Sequence, residues 1–384
     1  MRRARAAQLI AGLVLVALVG AACSSNSNNG STNTSFKGVP LSGSGATFPQ
    51  PVYEALFKTF HDSFESGAQI TYGGGGSGKG IADVQAKTVD FGASDQPLSD
   101  ADQRPGLLEI PTVLGAVTLA YNLPGIPTGL KLTPDAVAGI FEGKIKFWND
   151  AAIAGANSGT TLPHQAITPV VRQESSGTTF VFASYLNKVS PSWKADKNLG
   201  GKTDPVTHKA SIKQLNWPKG FDQEQGNANV ASGIQRAKYS IGYVELAYAL
   251  SNNIPFASVP YCTPTATGCT LGTDFVAPSI DSVSAAGAGL TFPIAPTTNV
   301  LNSSAAGAYP ISTTTYLLVY QEQTDKSKGQ TLVDVLTWLL HKGQNVIKGQ
   351  QYAPLPDAIV TNDDALIAKI TSGGAALTPS AGTK

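Results

Sequence analysis

The sequence predicts an α/β protein with buried sheets, and three observations point that way. Residues 69–72 alternate apolar and polar, a glycine loop follows, 81–86 carry apolar residues at helical spacing, and 89–93 read as a strand again. Two further β-rich runs, 113–121 and 314–320, stand far apart. If both cross between lobes, the first and last thirds of the chain form one domain and the middle third another. Finally, 384 residues that are 42% hydrophobic and 14% charged suffice for two domain cores and are too apolar for a disordered chain.

The N-terminus sets the compartment. Arg2, Arg3 and Arg5 precede an apolar run over 9–19, and Gly20, Ala21 and Ala22 lead into Cys23. This reads as an export signal over 1–22 with lipidation of Cys23, although Gly20 departs from the leucine usual three residues before such a cysteine. The competing reading, an uncleaved membrane helix, needs about 20 apolar residues, and the run is shorter. Residues 24–35 are small and polar with nothing to bury; with Cys23 they form a flexible linker that would hold the folded body about 20 Å from the bilayer. Lys plus Arg is 27 and Asp plus Glu is 26. Removing three arginines with the signal leaves 24 basic against 26 acidic residues, a balance that gives no reason to expect nucleic acid.

Cys262 and Cys269, with Pro264 and Gly268 between them, are expected to close a small disulfide loop outside the cell; two free thiols are the alternative. The four histidines, His61, His164, His208 and His341, are too scattered to suggest a metal centre. The end of the chain, 373–384, is small and polar and reads as a disordered tail.

Four segments look unlike packing material. The first, 42–49, is a run of small residues ending in Thr47, Phe48 and Pro49 before a helical pattern of Val52, Leu56, Phe57, Phe60 and Phe64. Its amides and the Thr47 hydroxyl would face an anion at a helix N-terminus; an ordinary capping loop is the plainer reading. The second, Tyr72 followed by four glycines, Ser77, Gly78, Lys79 and Gly80, fits the first part of a nucleotide-binding P-loop. It fails where Gly80 replaces the magnesium-binding Ser or Thr, which leaves a glycine nest with the Ser77 hydroxyl. The third, 89–99, places Asp95 just past a strand, where a simple helix cap would also explain it. The fourth, 170–180, delivers Arg172 from a strand into the turn Glu174, Ser175, Ser176, Gly177, Thr178: one guanidinium, several hydroxyls and a helix start, or else a solvated arginine beside a Ser/Thr cap.

In order and spacing these segments resemble the phosphate-binding lipoproteins of bacterial Pst ABC importers. The likeness runs over about residues 41–360. It includes Gly43–Pro49, Thr88–Asp95, Gly143-Lys144-Ile145-Lys146-Phe147-Trp148, Ser176-Gly177-Thr178, Ser240–Glu245 and Tyr309-Pro310-Ile311. The resemblance implies a type II periplasmic-binding-protein fold, two mixed-sheet α/β lobes joined by two crossing strands. Lobe I would comprise 36–116 and 309–372, and lobe II 117–308. It implies phosphate ligands at Thr47, Phe48 (amide), Ser77, Asp95, Arg172, Ser176, Gly177 (amide) and Thr178. The family's aspartate beside the arginine is replaced here by Glu174, so Arg172 is expected to be held differently. Also implied are delivery to ABC permease subunits, a monomer anchored by lipid at the outer face of the cell membrane, and no cofactor.

Phosphate at neutral pH carries a proton as well as charge, so a cage of donors with one carboxylate suits it. Asp95 would accept the P–OH proton and repel unprotonated sulfate. The rival readings are a binder of another oxyanion such as sulfate, a secreted hydrolase or phosphatase-like enzyme, and a structural surface lipoprotein. No G-x-S-x-G elbow or His cluster supports a catalytic residue, and four glycine–hydroxyl loops would be unexplained on a merely structural surface.

Overall fold

The computed structural model describes residues 37–201, 212–266, 269–290 and 300–384. The signal, Cys23 and the linker lie outside the described residues, and no described helix is long and apolar enough to cross a membrane. Strands and helices alternate as β1 (Leu41–Gly45), α1 (Gln50–Ser63), β2 (Ile70–Gly73), α2 (Ser77–Gln85), β3 (Phe91–Ser94) and the long β4 (Leu107–Asn122). There follow α3 (Pro134–Phe141), α4 (Ala151–Ala154), β5 (Thr168–Arg172), α5 (Gly177–Val189), α6 (Pro191–Ala195), β6 (Asp222–Glu224), α7 (Gly226–Arg236) and β7 (Ser240–Glu245). Next come α8 (Leu246–Ser251), β8 (Val259–Pro264), β9 (Cys269–Val276) and α9 (Ile280–Gly287). The chain ends with β10 (Ser312–Tyr320), α10 (Lys326–Leu340), α11 (Gln344–Gly349), α12 (Asp357–Ile367), β11 (Thr371–Ser372) and β12 (Ala375–Ala376).

The large mixed sheet has the order β2-β1-β3-β10-β4-β7-β5-β6 and belongs to a two-domain α/β fold. β1 runs parallel to β2 and β3, and β5 runs parallel to β6 and β7, as strands joined by crossover helices do. β4 is shared. From Leu107 to Ala116 it pairs antiparallel with β10, and from Val117 to Asn122 with β7, so the chain changes partners between Ala116 and Val117. It returns through Tyr309, whose hydroxyl donates to the Val117 carbonyl at 3.0 Å, and through Ile311, whose carbonyl accepts from Val117 N at 2.8 Å.

β4 begins earlier than the run 113–121 suggests, because it absorbs Pro111. A proline has no N–H for the ladder and sits in a sheet at an irregularity. Here the register of β10 against β4 slips between Thr315 and Tyr316, which pair with Val113 and Pro111 and leave Thr112 as the extra residue of a bulge. Thr112 then serves the core, accepting from or donating to the Tyr53 hydroxyl at 2.7 Å.

α1 buries Val52, Tyr53, Leu56, Phe57 and Phe60, four of them from the apolar stripe read in the sequence. Phe57 packs edge-on against Phe91 and stacks with Tyr53. In the other half Phe182 stacks on Tyr243 with centroids 4.5 Å apart, flanked by Phe141, Trp193 and Trp217. Each half therefore carries its own aromatic group within one continuous hydrophobic cluster.

Cys262 and Cys269 form a disulfide across the β8–β9 hairpin, with Cα atoms 5.6 Å apart. Residues 373–384, expected to be disordered, are instead docked. Leu377 is buried, Ser380 N donates to Asp334 Oδ1 at 2.7 Å, and Lys384 Nζ pairs with Asp364 at 2.8 Å. Their small polar composition hides one apolar anchor and a receptive carboxylate on α10.

Gly80, the position where the P-loop pattern breaks, has a packing reason to be glycine. A Cβ there would lie 2.4 Å from the Ala93 carbonyl oxygen and 2.7 Å from the Gly45 Cα. α2 thus packs backbone to backbone on β1 and β3, with neighbours that cannot rotate away. Gly80→Ala is expected to lower stability by about 1–3 kcal/mol. An unchanged denaturation midpoint in urea would contradict this packing.

Candidate functional site

The carboxyl ends of β1, β2, β3 and β5 lead directly into the four flagged loops, where open α/β sheets bind ligands. Three helices, α1, α2 and α5, begin there. Neither α1 nor α2 has a side-chain cap, although Gly78 N and Lys79 N of α2 already donate to the Ser175 and Gly76 carbonyls. The loops meet. Asp95 N donates to Ser77 Oγ at 3.1 Å, and Gly78 N from one half donates to the Ser175 carbonyl of the other at 3.2 Å. A Cβ on Gly177 would fall 2.3 Å from Ser77 Oγ and 2.5 Å from Asp95 Oδ2, so only glycine lets the α5 start approach this closely.

Thr47, Ser77, Asp95, Arg172, Ser176, Gly177 and Thr178 are all brought to this junction, and the named side chains are buried. Phe48 lies under it, its carbonyl accepting from the Tyr352 hydroxyl at 2.6 Å. The hydroxyls share one feature: each already accepts from the chain's own N–H groups. Ser77 accepts from Asp95 N, and Ser176, the cap of α5, from Thr179 N at 3.1 Å. Thr178 Oγ1 accepts from Arg172 Nη1 and Asn227 Nδ2, both at 3.1 Å. A hydroxyl whose oxygen is occupied in this way has its proton left to give.

Arg172 is held at the end of β5 by its own backbone, with N donating to the Tyr243 hydroxyl and O accepting from Trp217 Nε1, both at 3.1 Å. Glu174 takes it end-on, since Arg172 Nε (2.7 Å) and Nη2 both donate to the single oxygen Oε1. That oxygen also accepts from Gly226 N at 3.1 Å, so the longer acid ties the arginine to the start of α7. Of the five guanidinium N–H donors, three are engaged by Glu174 and Thr178.

Asp95 brings a carboxylate acceptor to the site. Its Oδ1 accepts from the Thr315 hydroxyl at 2.8 Å, whereas Oδ2 is buried without a hydrogen-bond partner. Burial pushes its pKa up to about 7; the Thr315 hydrogen bond and the Arg172 charge pull it back. Thr315 is the residue at the β4–β10 bulge, so the sheet irregularity and the orientation of this carboxylate are linked.

Sequence reasoning passed over Asn227, Thr315, Tyr248, Tyr352 and the role of Glu245. Tyr248 donates to the Thr47 carbonyl at 2.7 Å from across the junction. Tyr352 OH lies 2.6 Å from the Phe48 carbonyl and 2.9 Å from Glu245 Oε2. Burial holds the Glu245 carboxyl well above the usual carboxylate range, and the Tyr352 hydrogen bond pulls it back. The only local hints were a glycine–asparagine pair at a helix start and four consecutive hydroxyl residues, 312–315, in an apolar strand.

Comparison with known proteins places this geometry in a family. The model of the PBP superfamily domain matches residues 24–342. The phosphate-binding protein PstS of Xylella fastidiosa is 37% identical over 86% of this chain and 85% of its own length. That of Pasteurella multocida is 35% identical over 83% and 87%. A solved phosphate-binding protein from Stenotrophomonas maltophilia shares the fold, with a TM-score of 0.63 at 20% identity, covering 85% of this chain and 93% of that one. On these matches the chain belongs to the PstS phosphate-binding protein family of the PBP superfamily.

Proposed function

We propose that the chain captures inorganic phosphate between its two lobes on the extracytoplasmic side and delivers it to an ABC importer, acting as a binding protein and not an enzyme. The observation that carries this reading is the buried, unpartnered Asp95 Oδ2 set among hydroxyl protons and guanidinium N–H groups. Donors alone would suit any oxyanion. One acceptor among them suits an oxyanion that still holds a proton.

In this reading the ligand set is the Thr47 hydroxyl and amide, the Phe48 amide, Ser77, Asp95, Arg172, Ser176, and the amides of Gly177 and Thr178 with the Thr178 hydroxyl. The lobes are 36–116 with 309–372 and 117–308, their boundary supported by the change of β4 partners between Ala116 and Val117. Lipidation of Cys23, with 24–35 as tether, would keep a monomer at the outer face of the membrane. Each hydrogen bond to the charged guest contributes about 1.5–3 kcal/mol, so eight or more offset its desolvation.

Three outcomes follow for calorimetric titration. The unsubstituted protein should prefer phosphate over sulfate at least about a hundredfold, and Asp95→Asn should narrow that preference more than it weakens phosphate binding. Equal affinities for the two anions in the unsubstituted protein would overturn the role given to Asp95. Arg172→Ala removes two or more charged hydrogen bonds and should cost at least about a hundredfold in phosphate affinity; unchanged binding would move the site elsewhere. Because the Asp95 pKa is raised to about 7, its carboxyl is ionised above that pH and gains an O–H donor below it. Sulfate should therefore bind better as pH falls from about 8 to about 6, and a flat sulfate profile would contradict this.

A further inference from the structure

We propose that Asn227 is a specificity-determining positioning residue, which fills the acceptor positions of two hydroxyls from opposite lobes so that both can only donate to the bound anion. The inference rests on the phosphate reading above and deepens it. Asn227 stands in the first turn of α7 and is fully buried. Its backbone N and its Nδ2 both donate to Thr47 Oγ1, at 3.2 and 3.1 Å. The second proton of Nδ2 goes to Thr178 Oγ1 at 3.1 Å, where Arg172 Nη1 donates as well.

A hydroxyl oxygen has two acceptor positions and one proton. On Thr47 both acceptor positions are taken by Asn227; on Thr178 they are taken by Asn227 and Arg172. Neither oxygen can accept anything further from a guest, and each proton is left to be given. The amide orientation is not arbitrary either. Glu245 N donates to Asn227 Oδ1 at 3.0 Å, which requires the oxygen on that side and turns the NH2 group toward the two threonines. One carboxamide thus converts two ambivalent hydroxyls into fixed donors and bridges the lobes as it does so.

An aspartate in its place would reverse the polarity. Its second oxygen would accept the threonine protons that the anion needs and would add a negative charge beside it. The test is titration with inorganic phosphate of the protein, Asn227→Ala and Asn227→Asp, each at about pH 8 and about pH 5.5, with melting temperatures recorded. Asn227→Asp should bind at least about a hundredfold more weakly than the unsubstituted protein at the higher pH, and Asn227→Ala about tenfold more weakly. The Asn227→Asp deficit should shrink at the lower pH, as the new carboxyl takes a proton and regains a donor, while the Asn227→Ala deficit stays constant. Equal, pH-independent losses in the two variants would mean that Asn227 only supports the fold and would overturn the inference; so would unweakened binding by Asn227→Asp. Absence of phosphate binding by the unsubstituted protein would instead overturn the parent reading. If Asn227→Asp does not fold, a double-mutant cycle of Asn227→Ala with Thr47→Val decides, since strongly coupled losses are expected and additive ones contradict the role.

Discussion

A hydroxyl group has one proton to give and two places to receive, and the junction between the lobes is organised around that inequality. Ser77, Ser176, Thr47 and Thr178 each accept from N–H groups of the chain itself, supplied by Asp95, Thr179, Asn227 and Arg172. On Thr47 and Thr178 only the proton remains, whereas Ser77 and Ser176 keep one acceptor position beside theirs. The starts of α1 and α2, which have no side-chain cap, add the positive ends of their helix dipoles. Against this array stands Asp95 Oδ2, a buried acceptor without a partner, as is Glu174 Oε2 beside Arg172. Arg172 contributes direction more than net charge, because Glu174 neutralises it, and the whole chain is nearly balanced. Recognition by such a site depends on matching donors to acceptors, which is how a tetrahedral anion with a proton is told from one without.

The fold supplies this arrangement through features that look unrelated in sequence. Parallel strands in each half bring loops to a common edge, and backbone contact at Gly80 sets α2 tightly on β1 and β3. Pro111 belongs to the bulge that leaves Thr112 extra, and Thr315 on the opposing strand then donates to Asp95. β4 continues through the point where its partner changes, so one strand links the half that carries Asp95 to the half that carries Arg172. Gly177 permits the final approach of the two.

Much of the site was legible because its parts are local: small residues and hydroxyls where a strand turns into a helix, as at Thr47, Ser77 and 176–178. Asp95 and Arg172 were legible by chemistry and position at strand ends. What escaped depends on contacts across the chain. Asn227 lies 180 residues from Thr47, and Thr315 lies 220 from Asp95, and the local marks, a glycine–asparagine pair and a run of four hydroxyl residues, do not name the distant partner. The early part of β4 was hidden by a proline that a bulge tolerates, and the docking of 373–384 by a composition in which Leu377 alone is an apolar anchor. Glu174 was seen as a departure from the family pattern; its end-on grip on Arg172 and its reach to Gly226 needed the α7 start to be in place.

The central claim concerns protons, and neutron diffraction from deuterium-exchanged, phosphate-loaded crystals locates them. The account predicts deuterons on Thr47, Ser77, Ser176 and Thr178 aimed at phosphate oxygens, and one deuteron between phosphate and Asp95 that belongs to the phosphate. Hydroxyl deuterons turned toward Asn227 or other chain atoms, or a phosphate seated away from Asp95 and Arg172, would contradict it.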